Sequence, residues 1–363
     1  MNDDARSYFA TSGEKFDVIA FGLLDSHTTT AMTNARLDHY VYTRESLAHA
    51  KTLLKPGGVM VLSFEAQYPY IADRMARSLE EVFGRKPIVF RMPTNGHGWG
   101  GVVFVTGDEE TIQKQLAADP QLAKLIEEWT AKVPIALTGT TEVPTDDWPY
   151  IYLESRSVPA LYFLLAGLLA ALYYRGLRQL HAPIVRDWDR SSWHFFFLGA
   201  AFMLLEVQNV SKASVVLGNT WIVNAVIISG ILSMVLLANG IAAMFPKLPV
   251  GFAYAALIVT CAGLYFTDLA AFAFLPYTTK AIIVGLLTSL PMLFSGIIFV
   301  RSWATTDRKD VAFGANLFGS LVGGLLQTVT FFVGIQALLV IVAGLYGIAM
   351  LTRPRSVTMI RPA

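Results

Sequence analysis

The chain is predicted to be a partial α/β head joined to an all-α, polytopic membrane domain of about seven transmembrane helices. Two observations predict this. Residues 157–353 form a succession of long apolar runs, whereas residues 1–156 alternate short apolar runs with amphipathic stretches. Charge divides at the same place. Residues 1–156 carry 21 Asp and Glu against 15 Lys and Arg, and the remainder carries 6 against 13. A hydrophobic content of 54% and a mean hydropathy of +0.49 fit a polytopic membrane protein. The domains are read as 1–150 and 151–363.

In the head, Phe16–Gly22 (FDVIAFG) is an apolar run of strand type. Thr43–Lys55 has apolar residues at helical spacing, with Thr43 as N-cap and Pro56-Gly57-Gly58 as the stop. Val59–Phe64 is a second buried strand, and Tyr70–Phe83 an amphipathic helix closed by Gly84. Pro87–Arg91 and Gly101–Thr106 read as a strand pair, an antiparallel hairpin at the sheet edge, and Glu109–Ala117 and Pro120–Lys132 as helices. This alternation is Rossmann-like but short of strands. No strand, glycine-rich turn and helix of the kind that holds a cofactor phosphate precedes Phe16, as if the fold were entered halfway.

The apolar runs follow as Val158–Tyr174, Trp193–Leu217, Trp221–Phe245, Phe252–Phe266, Ala281–Val300, Phe313–Val333 and Ala337–Leu351. A hydrocarbon core about 30 Å thick needs roughly 20 residues per helix, so Phe252–Phe266 is the marginal span.

Composition excludes several functions. An acidic head is not a nucleic-acid surface. Cys261, the single cysteine, forms no internal disulfide, and no Cys/His spacing suggests a metal site. The polar start MNDDARSYFATSGEKFD is no signal peptide.

An ordered set of motifs resembles the spermidine synthase family, a branch of the S-adenosylmethionine-dependent methyltransferase fold, and in particular its membrane-fused bacterial members. The set comprises Asp4-Ala5-Arg6, Phe16-Asp17-Val18-Ile19, Tyr42-Thr43-Arg44-Glu45, Leu54-Lys55-Pro56-Gly57-Gly58, Asp146-Asp147-Trp148-Pro149-Tyr150 and Leu198–Glu206. The resemblance implies a methyltransferase-type head and transfer of an aminopropyl group from an adenosyl-sulfonium donor to an amine. It places Asp4 and Ala5 beside the donor's adenine and makes Asp25 the candidate catalytic carboxylate. The chain departs from the pattern where the family has Asp-x-x-Asp-Pro, since Gly22 replaces the first Asp and Ser26 the Pro, and where Ser63 replaces a Gln. The glycine-rich donor loop is missing too. The head is therefore expected to bind no cofactor alone. S-adenosylmethionine or its decarboxylated form belongs to the full-length family form, completed by an N-terminal half or a partner subunit.

Read without the resemblance, Asp25 follows the C-terminal end of a strand, where α/β sheets bind ligands, and also suits a turn-capping Asp. Gly96–Gly101 (GHGWGG) leads into a strand rather than a helix, so it reads as a hairpin loop and not a phosphate cradle. His39 and His49 read as ordinary histidines. Trp148, Tyr150 and Tyr152 suit a membrane-interface belt. Within the membrane, Glu206, Gln208, Asn209 and Lys212 are the strongest polar signal; Glu206, Asn209 and Lys212 recur at three-residue spacing and can share a helix face, and Asn224 and Asn239 in the next span, with Asn316 and Gln327 later, extend the polar set. They read as a ligand pathway or as interhelical hydrogen bonding, and Glu206, the costliest to bury, favours function. Gly319-x-x-x-Gly323 reads as a close-packing motif.

Arginines and lysines follow alternate spans, at 175, 178, 186, 190, 247, 301, 308, 309, 353, 355 and 361. The positive-inside rule then predicts an inner-membrane protein with a cytoplasmic C-terminus. With seven spans the head falls outside, where no such donor is expected. The alternative function is a transporter or channel-like protein for a cation or polyamine, with a degenerate head. The bilayer is the expected partner throughout.

Overall fold

The computed structural model describes residues 4–22, 39–93, 100–179, 188–218 and 221–354, and they divide into two units at Ser157/Val158. In the head, helix α1 (Ala5–Thr11) precedes strand β1 (Phe16–Phe21). A 3-10 turn (Tyr40–Tyr42) leads into α2 (Arg44–Thr52), whose N-cap is Thr43, its hydroxyl accepting from the Ser46 amide. Strand β2 (Leu54–Phe64), α3 (Pro69–Phe83), the hairpin β3 (Ile88–Arg91) and β4 (Val102–Gly107), α4 (Glu109–Ala118) and α5 (Pro120–Lys132) follow. Gly84 closes α3 in the left-handed conformation its φ of 75° requires.

The Pro56-Gly57-Gly58 stop is corrected. Helix α2 ends at Thr52, and the motif lies inside β2. Pairing with β1 jumps from Phe16↔Leu54 to Val18↔Val59, so β2 bulges here, and Gly57 takes a φ of 79° that other residues resist.

The four-stranded sheet runs β1-β2-β4-β3, with β1 parallel to β2 and both pairings of β4 antiparallel. Met60, Leu62 and Phe64 of β2 are buried, with only partial burial of their odd-numbered neighbours, so one face carries the core. Leu47, Met75, Leu79, Phe104 and Ile151 complete it. Strand β1 is an edge among the described residues, and its Val18 is 58% exposed.

The segment from 134 to 154 straps across α3. Asp73 accepts from the Gly139 amide at 2.7 Å and from the Thr141 amide and hydroxyl at 3.1 and 2.7 Å. Arg74, fully buried, donates to the carbonyls of Glu142, Ile151 and Leu153 at 2.7, 2.7 and 2.6 Å. One guanidinium thereby satisfies three loop carbonyls that burial would otherwise strand.

The second unit holds α6 (Ala160–Gln179), α7 (Arg190–Leu217), α8 (Trp221–Met244), α9 (Val250–Phe266) and α10 (Tyr277–Ala304). Next come α11 (Lys309–Leu326), carried through a 3-10 turn into α12 (Thr330–Val333), and α13 (Ala337–Thr352). Among the described residues, five helices are long and apolar enough to cross a membrane: α6, α7, α8, α10 and the continuous Lys309–Val333. The shorter α9 and α13 have 17 and 16 residues.

Glycines set the closest approaches. A Cβ at Gly319 would lie 1.9 Å from the Phe196 carbonyl oxygen, and one at Gly199 2.0 Å from that of Asn316. Helices α7 and α11 thus touch backbone to backbone, as the Gly319-x-x-x-Gly323 spacing predicts. Asn316 and Ser320 fasten the contact, donating to the carbonyls of Phe195 and Gly199 at 3.1 and 3.3 Å.

Candidate functional site

In the head, ligands of α/β sheets sit beyond the carboxyl ends of parallel strands, here after Phe21 and Phe64. Asp25 lies outside the described residues, as do His97 and Trp99 of the glycine-rich loop. Asp4 is the N-cap of α1, its carboxylate accepting from the amides of Arg6 and Ser7 at 3.0 and 3.3 Å, and Ala5 is the first helical residue. Arg6 reaches away from them. Its guanidinium donates to the Tyr40 carbonyl at 2.8 Å, to the Thr43 hydroxyl at 2.7 Å and to Asp146 at 2.5 Å. Asp146 also accepts from the Thr43 hydroxyl at 2.8 Å, and its own amide donates to Glu45 at 3.0 Å. Burial, the largest influence, raises the Asp146 pKa against the pull of Arg6. Three of the resembling motifs, around Asp4, Thr43 and Asp146, therefore converge in space.

The interface-belt reading of 148–152 is corrected. Trp148 is 1% exposed and lies under two guanidinium groups, Arg74 at 5.3 Å and Arg156 at 5.5 Å from its ring. Tyr150 and Ile151 are likewise buried. The segment is a packed wall of the head because Arg74, invisible as an anchor in sequence, captures its carbonyls. His39 packs edge-on against Tyr152, and burial lowers the pKa of His49. No cluster of three metal-ligating side chains occurs among the described residues.

In the membrane unit, α7 carries the polar positions. Asn209 is fully buried, and its neighbour Gln208 is 1% exposed. Among the described residues, neither side-chain amide has a hydrogen-bond partner at oxygen or nitrogen. Glu206 is half-buried and makes no hydrogen bond or ion pair among the described residues. Lys212 donates to the Leu264 carbonyl at 3.1 Å, tying α7 to α9. Asn224 stands half-buried on α8.

Sequence reasoning missed His194, fully buried toward the other end of α7. Its Nδ1–H donates to the Ala349 carbonyl at 2.7 Å, since a carbonyl only accepts, and its Nε2 lies 2.8 Å from the Ser302 hydroxyl. A single His inside an apolar run offers no sequence signal for partners more than a hundred residues away. His194 and Lys212 are separated by about 27 Å at 1.5 Å per residue. Helices α9 and α13 run between the same two levels. Arg301, next to Ser302, donates to Leu248 just before α9, and Lys212 meets Leu264 at its far end. Gln336 before α13 donates to Tyr265 at 2.5 Å, and Ala349 meets His194.

No protein-family model matches the chain, and no curated protein or solved structure is significantly similar to it.

Proposed function

We propose that this is an inner-membrane protein of seven spans carrying a spermidine synthase-like head. The spans rest on the two levels about 27 Å apart, close to the thickness of a hydrocarbon core, between which even the short α9 and α13 run. The arginine-rich end, with Arg190, Arg301 and Arg353, is the cytoplasmic one. For the head, one observation carries the reading: β1 and β2 pair in parallel around the α2 crossover, with the resembling motifs of Asp4, Thr43 and Asp146 gathered beside them. The chemistry the resemblance implies for the full-length family form is aminopropyl transfer; with seven spans and the arginine-rich end cytoplasmic, this head faces the side where no such donor is expected, so the reading keeps the fold and not the activity. The donor's sulfonium activates the adjacent carbon, and the protein must orient an amine stripped of its proton. Asp25 is the carboxylate for that role. Asp4 spends its carboxylate on the α1 cap, so Asp4 and Ala5 offer the adenine only a wall. Among the described residues no glycine-rich turn stands beside β1, so donor binding by this head alone is expected to be weak. Calorimetry on the purified protein with S-adenosylmethionine and with its decarboxylated form should show no saturable heat. A micromolar dissociation constant for either would overturn the half-site reading.

The orphaned amides favour a second reading, passage of a cation or polyamine through the bundle. Burying Gln208 and Asn209 without partners costs about 1–3 kcal/mol per group, and an unpaired carboxylate in the same helix costs more. Such groups persist where they meet a polar solute. Glu206→Gln removes charge and keeps hydrogen bonding, so it should abolish flux of radiolabelled spermidine or rubidium into proteoliposomes. Unchanged flux, or none from the wild type, would remove this reading.

A further inference from the structure

Two helix pairs in the membrane unit are drawn together by glycine. One is α7 with α11. The other is α8 with α10, where a Cβ at Gly230 or Gly296 would come within 2.7 Å of Ser289 or Ala238. Between the pairs lies a cavity of about 410 Å³, within the range of small-molecule sites. Phe202 and Phe299 line it from α7 and α10, with Trp303 beside them, Asn239 from α8, and Asn316 and Ser320 from α11. Asn239 is exposed, and Phe299 and Trp303 are partly so, which leaves the rim accessible.

The polar lining has capacity to spare. Asn316 uses one N–H on Phe195, and Asn239 one on Val235 at 3.0 Å. Each retains a second N–H and its carbonyl oxygen. Ser320 donates to Gly199 and keeps its lone pairs. No ionisable side chain lines the cavity, so it offers a charged ligand nothing to offset desolvation. Ser320 sits at the level of Gly199, about 8 Å inward from His194 along α7. This depth is reached from the bilayer by molecules dissolved in it.

We propose that this cavity binds the head of a neutral, membrane-dissolved amphiphile, one with an apolar body and one or two carbonyl or hydroxyl oxygens. The aromatic walls enclose the body, and the amides of Asn239 and Asn316 bracket the oxygens. A quinone ring and a glycerol head share this chemistry. The inference rests on residence of the helices in the bilayer and is independent of the head and of Glu206.

The test is equilibrium binding of tritiated ubiquinone-1 and, separately, tritiated monoolein to the purified full chain in detergent. Saturable binding of either is expected, and the probe that binds identifies the head. Removing both amides with Asn239→Leu and Asn316→Leu should weaken that binding about tenfold or more, the loss expected for two neutral hydrogen bonds. Asn316 also fastens α7 to α11, so Asn239→Leu alone supplies the second variant. Its side chain bonds only within its own helix, and about a fivefold loss is expected. Saturable binding of neither probe, or unchanged affinity in Asn239→Leu, would overturn the proposal.

Discussion

Gly319→Ala should be among the most damaging one-carbon changes in the membrane unit, and Gly324→Ala, on the same helix, should be harmless. The added Cβ at Gly319 would stand 1.9 Å from the Phe196 carbonyl oxygen, 2.7 Å from its carbon and 3.0 Å from its Cα. All three are backbone atoms, so no side-chain rotation relieves the clash. Restoring the 3.4 Å of ordinary contact requires α7 and α11 to part by about 1.5 Å. Overpacking of this kind costs about 1–3 kcal/mol. The same separation stretches the bonds of Asn316 and Ser320 across the interface, each contributing about 0.6 kcal/mol. The expected loss is about 2–4 kcal/mol. At Gly324 an added Cβ meets nothing within 4 Å, so alanine there should be neutral or gain up to about 1 kcal/mol of helix propensity. Unfolding in mixed detergent micelles, titrated with dodecyl sulfate and followed by circular dichroism, measures both variants against wild type. If the two variants shift the midpoint equally, close backbone contact between α7 and α11 is not what holds the bundle, and the reasoning fails.

The Asp73 anchor predicts an acid transition in the head. Burial tends to raise the Asp73 pKa, but the hydrogen bonds from Gly139, Thr141 and Thr138 outweigh it and bring it to about 2, against an ordinary 3.8. A depressed acid stabilises the fold fully above about pH 4 and loses that contribution as pH falls through about 2. After solvent screening at the thin strap this amounts to about 1–2 kcal/mol. Melting curves of wild type and Asp73→Asn between pH 5 and pH 1.5 should differ at the upper end and converge at the lower; a constant gap would exclude titration of Asp73 as the cause. Topology is tested by single cysteines in a Cys261→Ala background. An impermeant thiol reagent applied outside intact cells should label Thr278→Cys and not Ser356→Cys, and the reverse would place the C-terminus outside.

The elements that sequence reveals best are those whose cause is local. The apolar runs correspond to α6 through α13 because helix length and hydropathy follow from consecutive residues. Thr43 and Gly84 mark the helix ends because a cap acts within one turn. Gly319-x-x-x-Gly323 declares close packing because the spacing itself removes the side chains in the way. What spacing cannot supply is the partner. Asp73 and Arg74 sit in an amphipathic helix and look like solvated charges, yet their ligands lie 65 to 80 residues on, in a strap with no helix or strand of its own. Trp148 and Tyr150 precede an apolar run and look like an interface belt, until Arg74 draws their backbone into the head. The same gap governs the candidate site. Glu206, Asn209 and Lys212 share spacing, and spacing predicts a shared face. That spacing leaves their partners open: Lys212 meets Leu264 on another helix, Asn209 is buried beside Gln208, and Glu206 pairs with nothing described. Helical periodicity fixes where a side chain starts. Whether it ends on a carbonyl, a solute or nothing depends on which helix packs opposite, and spacing along one helix does not declare that. This makes the amides without partners among the described residues, rather than the charge pattern that first draws attention, the main support for the proposal that α7 meets a polar solute.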